Sequence, residues 1–241
     1  MNGGIYSTAS GTVSALLRLD AIANNLANAS TPGYKAERYI QQASSTANAS
    51  PSQTAVPTPI NRGHLETDFS QGSIQPTGNP LDVAISGPGF FVVNAPQGER
   101  LTRRGSFSID AEGYLTTTDG MRVQGDGGDL QIGKGRAEIA TDGTLRVDQV
   151  TVGKLRVVAV PDPRALRREG GTLFDTGSQV KADALPGAIY LNQGAIESSN
   201  VSPVESLVGL IDTMRGFDAY MHAASRIDEA QQRTIDDVGK A

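Results

Sequence analysis

The chain of 241 residues carries 21 basic and 26 acidic side chains, a net charge of −5, with no basic run beyond the doublets Arg103-Arg104 and Arg167-Arg168, which argues against a nucleic-acid surface. It has no Cys, so disulfides, thiolate metal sites and Cys nucleophiles are excluded, and no apolar run approaches the ~20 residues of a membrane-spanning helix. Of its 28 glycines, 21 fall between positions 60 and 200, so a turn-rich middle lies between two turn-poor ends.

The start, Met-Asn-Gly-Gly-Ile-Tyr-Ser, has neither a basic n-region nor an apolar h-region, and no cleavable secretory signal is expected. Residues 5–28 read as a helix. Ile5, Ala9, Thr12, Leu16, Leu19, Ala23 and Leu26 follow at intervals of four and three, a narrow heptad seam suited to one partner helix. Asn28-Ala29-Ser30-Thr31-Pro32-Gly33-Tyr34 then stacks helix breakers, and Gly33 after Pro32 favours a type II turn. Residues 41–59 are uncharged and poor in core-forming side chains, so a linker is expected over 41–65.

From about 66 to 197 the period changes to short strands. Leu81–Ile85 alternates, and Phe90-Phe91-Val92-Val93 is a run for a strand buried on both faces. Further strands are expected at 106–109, 114–118, 138–140, 144–147, 150–153 and 155–160. Turns such as Asp119-Gly120 and Asp142-Gly143 separate several of them, a pattern of antiparallel β structure. Helix returns with the capping box Ser202-Pro203-Val204-Glu205 and runs to about 238. Val204, Leu207, Ile211, Met214, Phe217 and Met221 form its apolar seam. The fold class is therefore α+β: terminal helices pairing as a coiled coil, with a central antiparallel β domain. A two-helix pair of this kind is marginal alone, so neighbouring subunits are expected to complete it.

No catalytic or metal constellation emerges. His64 and His222 stand in different regions without Cys or paired carboxylates at ligand spacing, and no cofactor is implied. An alternative is a carbohydrate-binding or enzymatic β domain with helical dimerisation arms, though the sequence offers it neither paired acids nor an aromatic platform.

Several motifs resemble one family in its own order. Asn24-Asn25-Leu26-Ala27-Asn28-Ala29-Ser30-Thr31-Pro32-Gly33-Tyr34 is similar to the N-terminal signature of flagellar rod, hook and hook-associated proteins. Asp68–Ile85 with Gly89-Phe90-Phe91, then Thr102-Arg103-Arg104-Gly105-Ser106-Phe107 and Asp110–Leu115, resemble its central blocks, and Gly194–Val201 its lead into the last helix. The proximal rod branch is the nearer match and the distal rod branch the next. The resemblance implies a structural subunit of a hollow helical drive shaft, with residues 1–40 and 198–241 in an inner tube and 66–197 as an outer layer. It assigns the assembly interface to the two seams and to Asn25, Asn28, Pro32 and Gly33. Implied partners are further copies, other rod proteins and, in transit, the flagellar type III export apparatus. The implied location is the periplasmic rod of the basal body, surrounded by peptidoglycan and the outer rings.

Overall fold

The computed structural model describes residues 2–42, 62–133, 135–177, 183–184 and 189–238. The chain divides into two compact units. One, helical, gathers Met1–Ala27, Glu37–Glu66 and Ser202–Ala241; the other, β-rich, gathers Asn28–Ala36 and Thr67–Val201.

In the helical unit, α1 spans Asn2–Ala27 and α2 spans Pro203–Val238. The start of α2 follows from its cap: Ser202 Oγ accepts the N–H of Glu205 at 3.4 Å and the Ser202 carbonyl accepts that of Ser206 at 3.0 Å, with Pro203 where no amide donor is needed. The two helices pack on one another. A small sheet of Glu37–Gln42 and Arg62–Thr67 completes the unit. Both ends of the expected 41–65 linker are thus strand. The Tyr39 ring occupies the space a side chain at Gly63 would need, a pairing that polar sequence does not advertise. The stretch 43–61 lies outside the described residues.

The β unit is built around the strand Phe90–Ala95. It pairs with Gly98–Thr102 on one edge and with Val157–Ala159 and Arg122–Gly125 in succession on the other, all antiparallel. Alternation sends Phe91 and Val93 into one core with Ile85, Phe107, Leu115, Leu145 and Leu155. Phe90 and Val92 enter a second core with Leu101, Val158 and Phe174. Two cores on opposite faces explain why this strand reads as a continuous apolar run. Phe91 meets Phe107 edge-on at 5.1 Å, and Phe69, Phe90 and Phe174 form a second aromatic group.

A three-stranded sheet, Ala137–Ile139, Thr144–Val147 and Val150–Lys154, closes over the first core. Its hairpin turns at Asp148 and Gln149, both at positive φ (49° and 71°), which matches the right-handed twist of the flanking strands. The last strands pair back: Tyr190–Gln193 with Val83–Ser86, and Ala195–Glu197 with Ile74–Pro76.

Phe91→Ala is expected to destabilise the protein by ~3–5 kcal/mol in denaturant unfolding, because Phe91 is fully buried. Val150→Ala, at a 67% exposed position, is expected to stay within ~0.5 kcal/mol of the parent.

Candidate assembly surface

The helices do not meet through the seams that their apolar spacing marks. On α1 the buried positions are Thr8, Gly11, Ala21 and Asn25. Gly11 lets the Tyr220 ring lie against its backbone, and Gly209 of α2 lies beneath Ile22. Residue numbers rise on one helix as they fall on the other, so the pair is antiparallel. The less exposed stripe of α2 runs through Ser206, Leu210, Thr213, Phe217, Ala224 and Ile227, with Thr213 buried. Thr213 and Thr12 turn their hydroxyls onto their own helices, Thr213 Oγ1 donating to the Gly209 carbonyl and Thr12 Oγ1 to that of Thr8.

The large apolar side chains point elsewhere. On α1, Ala9, Leu16 and Ala23 are exposed, Leu19 and Leu26 are half-buried, and Val13 and Leu17 add to the exposed set. Ile5 lies on α1 with its side chain outside the described residues. On α2, Val204 is 72% exposed, while Leu207, Ile211, Met214 and Met221 are each about half exposed. Phe217 alone of that seam is half-buried. On α2 most of the apolar stripe that the period marks is exposed, and the contact within the chain falls on another face, where glycines admit Tyr220 and Ile22. Large apolar side chains of both helices are thus left exposed.

Asn25 clips α1 to the strand that follows it. Its amide donates to the Glu37 carbonyl at 2.7 Å and accepts the Glu37 N–H at 2.8 Å. Tyr39 Oη donates to Ser14 Oγ at 3.2 Å.

In the β unit, residues 28–36 form a strap. This segment was expected to belong with the helices; it packs with the strands instead because its partners are there. Thr31 Oγ1 donates to Asn28 Oδ1, and Tyr34 N–H to the Thr31 carbonyl at 3.3 Å across half-buried Pro32. Gly33 has φ +71°, the type II position, and its N–H donates to the Glu197 carbonyl at 2.8 Å. A Cβ here would overlap the backbone of Arg103 and Arg104.

The strap is fastened by charge. Lys35 and Glu197 side chains are wholly buried, and Lys35 Nζ donates to Glu197 Oε1 at 2.5 Å and to the Ser70 carbonyl at 2.6 Å. Glu197 Oε1 also accepts the Gly72 N–H at 2.9 Å, and Oε2 accepts from Arg103 Nη1 at 3.2 Å. Arg103 donates further to the Gly87 carbonyl and stacks over Phe90. One carboxylate therefore serves two buried cations. Burial holds both the Lys35 and the Arg103 groups below their ordinary values, with Glu197 acting in the opposite sense. Asn200 completes the fastening: its Oδ1 accepts the Ala36 N–H at 2.7 Å and its Nδ2 donates to the Asp68 carbonyl at 2.8 Å. Arg168 covers the Tyr34 ring and donates to the Lys35 carbonyl.

The motif blocks at 28–36, 68–72, 102–105 and 194–201 thus converge on Glu197. Comparison with known proteins follows the same order. Residues 5–35 match the family described as "Flagella basal body rod protein", 84–154 the "Flagellar hook protein FlgE/F/G D1 domain", and 192–237 the "Flagellar basal body rod FlgEFG protein C-terminal". The chain is 31% identical to the flagellar basal-body rod protein FlgF of Caulobacter vibrioides, over 100% of this chain and 99% of that one. The chain belongs to the flagellar basal-body rod protein family. It is also 32% identical to FlgF of Salmonella typhimurium, over 97% of each chain, and 30% identical to FlgG of Buchnera aphidicola (subsp. Schizaphis graminum), over 90% of this chain and 92% of that one.

Membership of the rod family gives the recurrent motifs physical content. Lys35, Glu197 and Asn200 escaped the residue-level reading because nothing beside them in sequence marks them as partners, and Arg103 because it reads as half of a basic doublet with Arg104. The available signal was Glu197 itself, a charge inside the Ala195–Glu197 strand on the same face as buried Ala195.

Gly33→Ala is expected to cost more than ~2 kcal/mol, through positive φ and backbone overlap together. Asn25→Ala is expected to cost ~1–3 kcal/mol by leaving the Glu37 backbone groups without their partner. Urea midpoints of the two variants against the parent measure both.

Proposed function

We propose that this chain is a structural subunit of the flagellar basal-body rod, on the proximal, FlgF-like side, and that it assembles through the outward apolar faces of α1 and α2. The observation that carries this reading is the exposure of Leu207, Ile211, Met214 and Met221 on α2, away from the face on which the two helices meet. Covering such side chains contributes ~1.5–3 kcal/mol each on full burial. That is the driving force a neighbouring subunit would supply and the pair itself does not. The antiparallel contact and the four–three spacing of the less exposed stripe on α2 support a coiled-coil pairing within the subunit.

In this reading residues 1–40 and 198–241 line an inner tube, except the strap 28–36 and residues 198–201, which pack with the strands, and 66–197 form an outer layer that carries load. Repeated heterologous contacts between copies, and with other rod proteins, build a helical array that does not close. The subunit reaches the rod through the flagellar type III export apparatus. It lies in the periplasm, within the peptidoglycan and outer rings, and transmits torque as a structural part with no enzymatic step. A distal, FlgG-like position is the second reading, supported by relatives that carry that name at 30% identity.

A Leu207→Asp, Ile211→Asp double variant is expected to fold with its unfolding free energy within ~1 kcal/mol of the parent, since both sites are exposed. The same variant is expected to be absent from isolated basal bodies and to leave a strain lacking the parent chain non-motile. Normal incorporation would contradict the proposal.

A further inference from the structure

Glu197 lies 162 positions after Lys35. Four attachments of the strap depend on what residues 197–200 bring: the Gly33 N–H to the Glu197 carbonyl, the Lys35 ammonium to the Glu197 carboxylate, the Ala36 N–H to Asn200 Oδ1, and the Asn200 N–H to the Tyr34 carbonyl. The remaining ones, from Ser70, Asp68 and Arg168, are available earlier along the chain. They are contacts of backbone groups and an aromatic face; Asp68 adds an attraction to Lys35 weaker than that of Glu197, and only Glu197 forms the ion pair with it.

The charge arithmetic decides which set governs docking. Lys35 and Arg103 are both buried, at 0% and 4% side-chain exposure, and both are satisfied by the same carboxylate. With the strap docked and Glu197 absent, an ammonium and a guanidinium would share a dry site. Removing one member of a buried, hydrogen-bonded ion group is far more costly than losing a neutral hydrogen bond, because the remaining charges stay desolvated. The early carbonyl contacts cannot offset that.

We propose that Glu197 is the closing element of an electrostatic latch, so that the strap 28–36 docks on the β unit only after the strand Ala195–Glu197 is in place. A chain appearing N-terminus first therefore carries α1 on a loose tether while the strands of the β unit form. The strap is fixed as the chain reaches residue 197, immediately before α2 begins at Pro203. The apolar face of α1 is then never held on a finished strap in a chain that still lacks α2. This ordering is a property of the β unit and stands independently of the rod reading.

The test uses the full-length protein refolded from denaturant, with pulsed hydrogen exchange read by mass spectrometry on peptides covering 28–36 and 90–95. In the parent, the strap amides are expected to gain protection after those of Phe90–Ala95. In Glu197→Gln, which keeps the backbone carbonyl that Gly33 uses, native-state exchange of the strap is expected to rise at least ~10-fold while Phe90–Ala95 stays protected. Lys35→Met leaves Arg103 and Glu197 as a neutral pair and provides a variant that folds even if Glu197→Gln does not. Its strap is expected to keep native-state exchange close to the parent's, because no cation is left unpaired and the Gly33 and Ala36 N–H attachments to residues 197–200 remain. Protection of the parent strap before or together with the central strand would overturn the latch. So would unchanged strap exchange in Glu197→Gln, loosening spread equally over 90–95, or strap loosening in Lys35→Met as large as in Glu197→Gln.

Discussion

The carboxylate of Glu197 is the point to which the β unit fastens the chain on its way in and on its way out. It accepts from Lys35 of the strap, from Gly72 of the connection ahead of the strands, and from Arg103 at the end of the strand beside Phe90–Ala95. Three residues on, Asn200 holds the backbone of Ala36 and of Asp68. A buried charge group of this kind is a poor source of net stability, because desolvating its members consumes most of what their attraction returns. What it provides is uniqueness: any other register of the strap leaves a cation in a dry site. Gly33 and Gly72 belong to the same constraint, since at both positions a side chain would strike the backbone that the clamp brings close.

The helical unit works by the opposite principle. Its internal contact closes where Gly11 and Gly209 let Tyr220 and Ile22 approach the backbone. Leu16 and Leu17 of α1 and Val204, Leu207, Ile211, Met214 and Met221 of α2 are left exposed. The chain is thus complete where charge and two aromatic cores hold it, and incomplete where it would meet a neighbour. A subunit of a rod needs both: a body that holds its shape under load, and ends whose burial is finished only by assembly.

Much of this was legible in the sequence where signals are local. The helix cap at Ser202, the type II turn at Gly33, the Asp142-Gly143 turn and the doubly buried run at Phe90–Val93 are each set by neighbouring residues. The outward direction of the Leu207–Met221 stripe was not legible. Periodicity reports that a helix has an apolar face, and says nothing about whether that face meets the same chain or another. Strands such as Gly98–Thr102 and Leu173–Asp175 were missed for a different reason. Their pairing is reinforced by Arg100 with Glu169 and Asp175, ion pairs between distant residues that leave no alternation to read. The Lys35–Glu197 pair is the extreme case: two unremarkable charges acquire meaning only when the topology brings the ends of the β unit together.

The absence of cysteine allows one direct measurement of where burial is unfinished. A Met214→Cys variant carries a single thiol on the outward face of α2, half exposed in the isolated chain. Its maleimide labelling rate should be that of an accessible thiol in the purified monomer and should fall at least ~10-fold in isolated basal-body rods, as expected of a side chain that assembly removes from solvent. Equal labelling in monomer and rod would contradict the claim that this face is the surface assembly covers.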